Sequence, residues 1–143
     1  MQNCTICDKH QDFLKYTGEV ILEKGGWAVT HFPFVDGQKA TKGYLLIEAK
    51  RHIQEFTEMN AAEASALGEM ISAGTQLIKD KMGAEHVYLF RINDKVPHLH
   101  LHLVPRYPGT PKEFWGFKIS DWPGNPKIDL QEIKQVALRL RRD

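Results

Sequence analysis

The sequence predicts an α+β fold: a five-stranded, mainly antiparallel sheet carrying two main helices. Three observations lead there. Five short β-rich runs, separated by turn-forming residues, lie between Glu19 and Pro105. A long amphipathic stretch, Asn60 to Met82, divides the third run from the fourth, and a second one ends the chain. With 143 residues, 42% of them hydrophobic, and no repeat or linker, the chain suits one domain, 1–143, around a single core.

Glu19 to Lys24 and Trp27 to Phe32 flank Gly25-Gly26, which supplies the positive φ angles of a two-residue hairpin, so the two runs form an antiparallel pair. Pro33 to Gly43, punctuated by Pro, Asp-Gly and Lys-Gly, is a loop, and Tyr44 to Ala49 is a third strand with His52 just past its end. Asn60 and Glu63 form a capping box at the head of the long helix, whose apolar face is expected at Ala64, Leu67, Ile71, Leu77 and Ile78. Gly83 suits its C-terminal stop. His86 to Ile92 and Val96 to Pro105 are the last two strands, joined by Asn93-Asp94-Lys95. Phe114 to Lys127 is irregular, and Asp129 with Glu132 caps a final helix whose apolar face is Leu130, Ile133, Ala137 and Leu140.

The formal net charge of +1 provides no basic field for coating a nucleic-acid duplex, and no apolar run approaches the ~20 residues of a membrane span. The start Met-Gln-Asn-Cys lacks the charged and apolar regions of a signal peptide, so the expected compartment is the cytoplasm. Cys4 and Cys7 form a C-x-x-C. It could be a redox pair, a pair of unligated thiols, or half of a zinc site completed by two of the seven histidines.

In Pro97-His98-Leu99-His100-Leu101-His102-Leu103-Val104-Pro105-Arg106 strand alternation puts three histidines on one face and three leucines on the other. Same-face neighbours lie ~6.6 Å apart, so His98 and His102, ~13 Å apart, cannot join His100 around one metal in ordinary geometry. Imidazole can act as nucleophile, acid or donor near neutral pH, which favours chemistry over three half-exposed strand histidines. A zinc hydrolase using two of them with His52 as third ligand is the other reading.

The run His98-Leu99-His100-Leu101-His102-Leu103-Val104 resembles the His-φ-His-φ-His-φ-φ signature of histidine-triad proteins. Lys42-Gly43-Tyr44-Leu45-Leu46-Ile47-Glu48-Ala49-Lys50-Arg51-His52 is similar to that family's glycine, apolar strand and Lys-x-His segment, so the likeness runs from about Cys4 to Arg106. It implies that His100 attacks an α-phosphorus to form a covalent nucleotidyl-histidine, that His102 clamps the phosphate, and that water releases the nucleotide. Asn93 corresponds to an asparagine that contacts phosphate or ribose in relatives. The zinc-bearing bacterial members imply a structural zinc on Cys4, Cys7, His52 and His98, with His10, His31 and His86 as spare candidates, and relatives imply a homodimer joining two sheets.

Two departures qualify the substrate. Asn93-Asp94-Lys95-Val96-Pro97 replaces a longer Gly-Gln-Ser or Gly-Gln-Thr loop, so Lys95 would offer charge to a polyphosphate where relatives offer a hydroxyl. Thr30-His31-Phe32 stands where many relatives bind ribose through Asp or Asn, which makes His31 and Phe32 the expected substrate contacts. His102 in the third position, where nucleotidyltransferases of the superfamily carry glutamine, favours hydrolysis over transfer. Val96-Pro97-His98 and Val104-Pro105-Arg106, flanking the triad, resemble the family's dinucleoside polyphosphate branch more than its phosphoramidate branch. Two other readings are a zinc-stabilised nucleotide-binding or scaffold protein with little catalysis, and a nucleotidyltransferase.

Overall fold

The computed structural model describes residues 4–141. Helix α1 (Thr5–Gln11) and a 3-10 turn (Phe13–Lys15) precede β1 (Leu22–Lys24) and β2 (Trp27–His31), whose hairpin turns on Gly25 and Gly26 at φ 59° and 93°. Then come β3 (Ala40–Thr41), β4 (Leu45–Ala49), a 3-10 turn (Phe56–Glu58), α2 (Ala61–Met82), β5 (His86–Phe90) and β6 (His100–Arg106). Two further 3-10 turns (Lys112–Phe114, Gly116–Asp121), β7 (Lys127–Ile128) and α3 (Leu130–Leu140) complete the chain. The main sheet has the order β1-β2-β4-β6-β5 with every pair antiparallel.

One face of the sheet is pressed on α2. Trp27, Val29, Leu45, Ile47, Leu101 and Leu103 point into the core, where the Trp27 indole N–H donates to the Glu63 carbonyl at 2.9 Å. The approach is close: a Cβ on Gly74 of α2 would lie 2.7 Å from Leu103 Cδ1, so the leucine end would have to shift. Both capping boxes form, Asn60 with Glu63 and Asp129 with Glu132, and Gly83 ends α2 at φ 76°. The buried stripe of α2 is Glu63, Ala66, Met70, Gly74, Leu77 and Ile78. It is rotated from the expected one: Ala64 is exposed, with Leu67 and Ile71 on the margin. Glu63 is accommodated at a core position because Arg51 and the Asn60 N–H donate to its carboxylate.

Three local expectations change, and one element was not anticipated. The N-terminal segment is helical from Thr5, capped by Cys4, whose Sγ accepts the Cys7 N–H at 3.3 Å. The loop of 33–43 and the irregular tail each contribute one strand to a two-stranded ribbon, β3 with β7, too short to show as a pattern. The first hairpin strand begins at Leu22 instead of Glu19, although Ile21 N–H still bonds the Val29 carbonyl at 2.8 Å. Most consequentially, β6 starts at His100 and not at Val96. The ladder with β5 ends at His102 and the ladder with β4 at His100; beyond them Pro97 has no amide hydrogen, and Leu99 N–H bonds the Ile53 carbonyl at 2.6 Å, past the end of β4.

Leu101, 3% exposed between two histidines, couples the site to the core. Leu101→Ala should cost about 2–5 kcal/mol in denaturant unfolding. A cost below that range would show that β6 does not depend on its packing against α2.

Candidate functional site

β6 lies between β4 and β5, and its alternation turns His100 and His102 away from α2. Across the ladder Glu48 stands opposite His100, while Leu46 and Phe90 stand opposite His102. The two imidazole centroids are 4.9 Å apart. His100 Nδ1–H donates to the backbone carbonyl of His98 at 2.6 Å, which commits Nδ1 as the donor and leaves Nε2 as the other ring nitrogen. His102 Nδ1 is 2.7 Å from the Tyr44 hydroxyl, and the Tyr44 ring packs against Phe32 at 4.5 Å. Burial first, and then the neighbouring His100, push His102 down to about 4, so its ring is neutral at physiological pH. Burial likewise raises the Tyr44 phenol, which keeps its proton.

His98 does not continue this row. Released from the strand, its ring turns toward helix α1, and Cys4, Cys7, His52 and His98 converge with their ligand atoms within 4.8 Å of one another. Cys4 Sγ and Cys7 Sγ lie 3.4 and 3.5 Å from His98 Nδ1, Cys7 Sγ lies 3.3 Å from His52 Nδ1, and the two imidazole Nδ1 atoms are 3.2 Å apart. A zinc tetrahedron, with bonds of about 2.3 Å to sulfur and 2.0–2.1 Å to nitrogen, has edges of roughly 3.3–3.8 Å. The donor set therefore fits. His98 Nε2–H donates to the Ala49 carbonyl at 2.5 Å, the outer hydrogen bond that orients a metal-binding imidazole.

The remaining predicted residues divide. Phe32 is half-buried beside Tyr44 and so borders the site. Asn93, at φ 71°, donates its amide to the Gln54 carbonyl at 2.9 Å, and its buried Oδ1 has no hydrogen-bond partner. Lys95 is exposed on the turn before Pro97. His31 is not brought to the site. It shares the parity of Trp27 and Val29, points into the core, donates through Nδ1 to the Phe32 carbonyl and accepts the Gly43 N–H at Nε2, both at 2.9 Å. Thr30 holds the β2 position on the triad face, a parity the apolar Trp27 and Val29 already encode. Of the spare histidines, His10 reaches Glu48 and His86 lies exposed against Tyr88 on the edge strand.

Sequence reading missed Tyr44 and the group around Glu48. Glu48 is fully buried, paired with Lys9, 3.1 Å from His10 Nε2, and accepts the Thr30 hydroxyl at 3.3 Å. Burial alone would raise this carboxyl, but Lys9 and His10 hold it below the usual carboxylate range. In the tail, Arg106 lies 3.7 Å over the Trp115 ring, whose indole donates to Thr110, so this tryptophan packs on its own chain.

Burial pushes both His31 and His102 down to about 4 from an ordinary 6.5. Between those values the unfolded chain takes up protons that the fold refuses, so stability should fall as pH drops from about 6.5 to about 4, by about 1.4 kcal/mol per pH unit for each histidine. In urea melts across that window His31→Gln should show a slope smaller by one proton. An unchanged slope would mean that His31 is already protonated in the fold.

Comparison with known proteins agrees with this geometry. The family model described as HIT domain matches residues 29–109. An uncharacterised HIT-like protein of Methanocaldococcus jannaschii is 28% identical over an 81-residue alignment that covers 53% of this chain and 62% of that relative, so the match spans about three fifths of its length. Among solved structures, a hypothetical histidine triad nucleotide-binding protein from Sulfolobus tokodaii superposes with a TM-score of 0.66 at 20% identity, covering 96% of this chain and 91% of that one. A Zn-bound histidine triad family protein from Mycobacterium smegmatis gives 0.59 at 17%, covering 96% and 95%. No described helix is long and apolar enough to cross a membrane. The two-faced strand of histidines and leucines thus sits inside a matched domain that covers more than half the sequence, and the chain belongs to the histidine-triad, or HIT, family.

Proposed function

We propose that the protein is a nucleotide hydrolase that cleaves a phosphoanhydride or phosphoramidate bond at the α-phosphate through a covalent nucleotidyl intermediate on His100. The observation that carries this reading is the His100 Nδ1–H bond to the His98 carbonyl at 2.6 Å, which commits Nδ1 and leaves Nε2 as the ring nitrogen available for attack. In the first step the Nε2 lone pair forms a bond to the α-phosphorus, and the leaving group departs with the electrons of the cleaved P–O bond or, from a P–N bond, as an amine whose nitrogen has taken up a proton from solvent. In the second step water attacks the same phosphorus, the N–P bond returns its electrons to Nε2, and one proton is released.

His102 supplies the clamp. With the Tyr44 hydroxyl donating to Nδ1, the remaining proton sits on Nε2, where it can donate to a non-bridging oxygen. Phe32 and Tyr44 offer an aromatic border to the nucleoside, and Asn93 and Lys95 lie on the segment that leads into the triad. Diadenosine polyphosphates are the proposed substrates, with Lys95 meeting the extra phosphates.

Cys4, Cys7, His52 and His98 would hold a zinc ion. Four protein ligands fill a tetrahedron, so the ion would serve structure, tying α1 to the strands around His100. The resemblance also supports a homodimer. The exposed edge strand β5, with His86 and Leu89 uncovered, is a surface through which two sheets could join.

AMP should be released from diadenosine polyphosphates and from an adenosine phosphoramidate by the wild type. His100→Ala should abolish release without unfolding, and His102→Ala should lower kcat by roughly 10²–10³-fold. Lys95→Ala should slow only the polyphosphate. Nucleotide binding without AMP release from the wild type would favour the binding-protein reading, for which the replaced loop before the triad is the supporting observation.

Metal analysis should give one zinc per chain, lost in Cys7→Ser and retained in His100→Ala. Equal zinc in all three proteins would remove the Cys4 cluster as its site.

A further inference from the structure

Helix α1 brings more to the sheet than two thiols. Lys9 and His10 follow directly on the Cys4–Cys7 pair, and both reach Glu48 on the triad face of β4. Lys9 is 4% exposed and Glu48 is fully buried. An ammonium and a carboxylate this deep are rarely found unless paired, and removing either strands the other. Glu48 is the direct cross-strand neighbour of His100, the proposed nucleophile, which brings their β-carbons to about 5 Å. An anion placed there repels a phosphate at His100 and His102 unless a cation cancels it. The cation is delivered by a seven-residue helix, too short to persist by its own propensity, whose anchor to the sheet includes the cluster of Cys4 and Cys7 with His52 and His98.

We propose that Lys9 and Glu48 are positioning residues that make phosphate binding depend on the metal centre: with α1 anchored, Lys9 neutralises Glu48; with α1 released, Glu48 stands as an uncompensated carboxylate beside His100. The proposal rests on reading the triad as an α-phosphate site and the Cys4 cluster as a metal site. Its signature is selective for charge. Loss of Lys9 penalises an anionic nucleotide and spares a neutral nucleoside, whereas a collapsed site penalises both.

The test is calorimetric titration of the full-length protein with AMP and with adenosine, zinc-loaded and after chelation, with folding followed by circular dichroism. In the loaded protein Lys9→Met should weaken AMP by about 10-fold while adenosine is unchanged. Lys9→Arg should retain AMP, and the double variant Lys9→Met/Glu48→Gln, which removes both charges, should recover it. Chelation should weaken AMP for the wild type as Lys9→Met does and should have little effect on Glu48→Gln. That last comparison decides the matter even if the lysine variants fail to fold.

Parallel loss of adenosine, no recovery in the double variant, or an equal chelation penalty in wild type and Glu48→Gln would each overturn the proposal. AMP bound equally in every form would overturn it while leaving the nucleotide reading intact. A loaded wild type that binds neither ligand would remove both.

Discussion

The two faces of β6 answer to opposite demands, and the site depends on their staying apart. Leu101 and Leu103 are packed in the core against α2, with Leu103 close beside Gly74, and that packing fixes the strand's register. A slip of one residue would bury two imidazoles in the core and expose two leucines, reversing every side chain at once. Apolar packing of one face thereby sets the position of the other, and the neighbouring strands β4 and β5 carry Glu48, Leu46 and Phe90 to fixed places around His100 and His102. Placing reactive groups on a central strand in place of a loop gives them the rigidity that positioning requires.

His98 links this strand to the cysteine cluster by covalent geometry. Its ring faces Cys4, Cys7 and His52, its Nε2 is tied to Ala49, and its carbonyl receives the Nδ1–H of His100. A ligand set closed around the ring would therefore fix the peptide whose oxygen holds the Nδ1–H of His100. The break in β6 before His100 makes this possible. Had the strand run on from Val96, His98 would stand in line with the other two histidines and away from the thiols.

That break was not legible in the pattern of alternating residues, which continues through His98 without a flaw; the decisive facts are the missing amide hydrogen of Pro97 and the capture of Leu99 by Ile53, a contact 46 positions away in the chain. Elements set by local chemistry were readable: the Gly25-Gly26 hairpin, the two capping boxes and the leucine face. Elements set by distant partners were not, as the two-residue β3 and β7 and the buried Lys9–Glu48 pair show. His31 is an error of parity. Counting from Trp27 and Val29 places it in the core, but the expectation came from the position of a polar residue in relatives and ignored the alternation.

Under the proposed reading, the site as folded would meet phosphate mainly with dipoles. His102 is neutral, Tyr44 keeps its proton, His100 donates through Nδ1 to the His98 carbonyl, and Lys9 is committed to Glu48. Fixed neutral donors bind a ground-state anion only modestly, because they replace hydrogen bonds that water already supplied. They contribute more where charge gathers on the non-bridging oxygens during transfer, since their orientation has no cost at that moment. Under the proposed reading this arrangement favours turnover over retention of product, and it places the burden of ground-state affinity on the nucleoside border at Phe32 and Tyr44 and on whatever charge Lys95 brings to a longer phosphate chain.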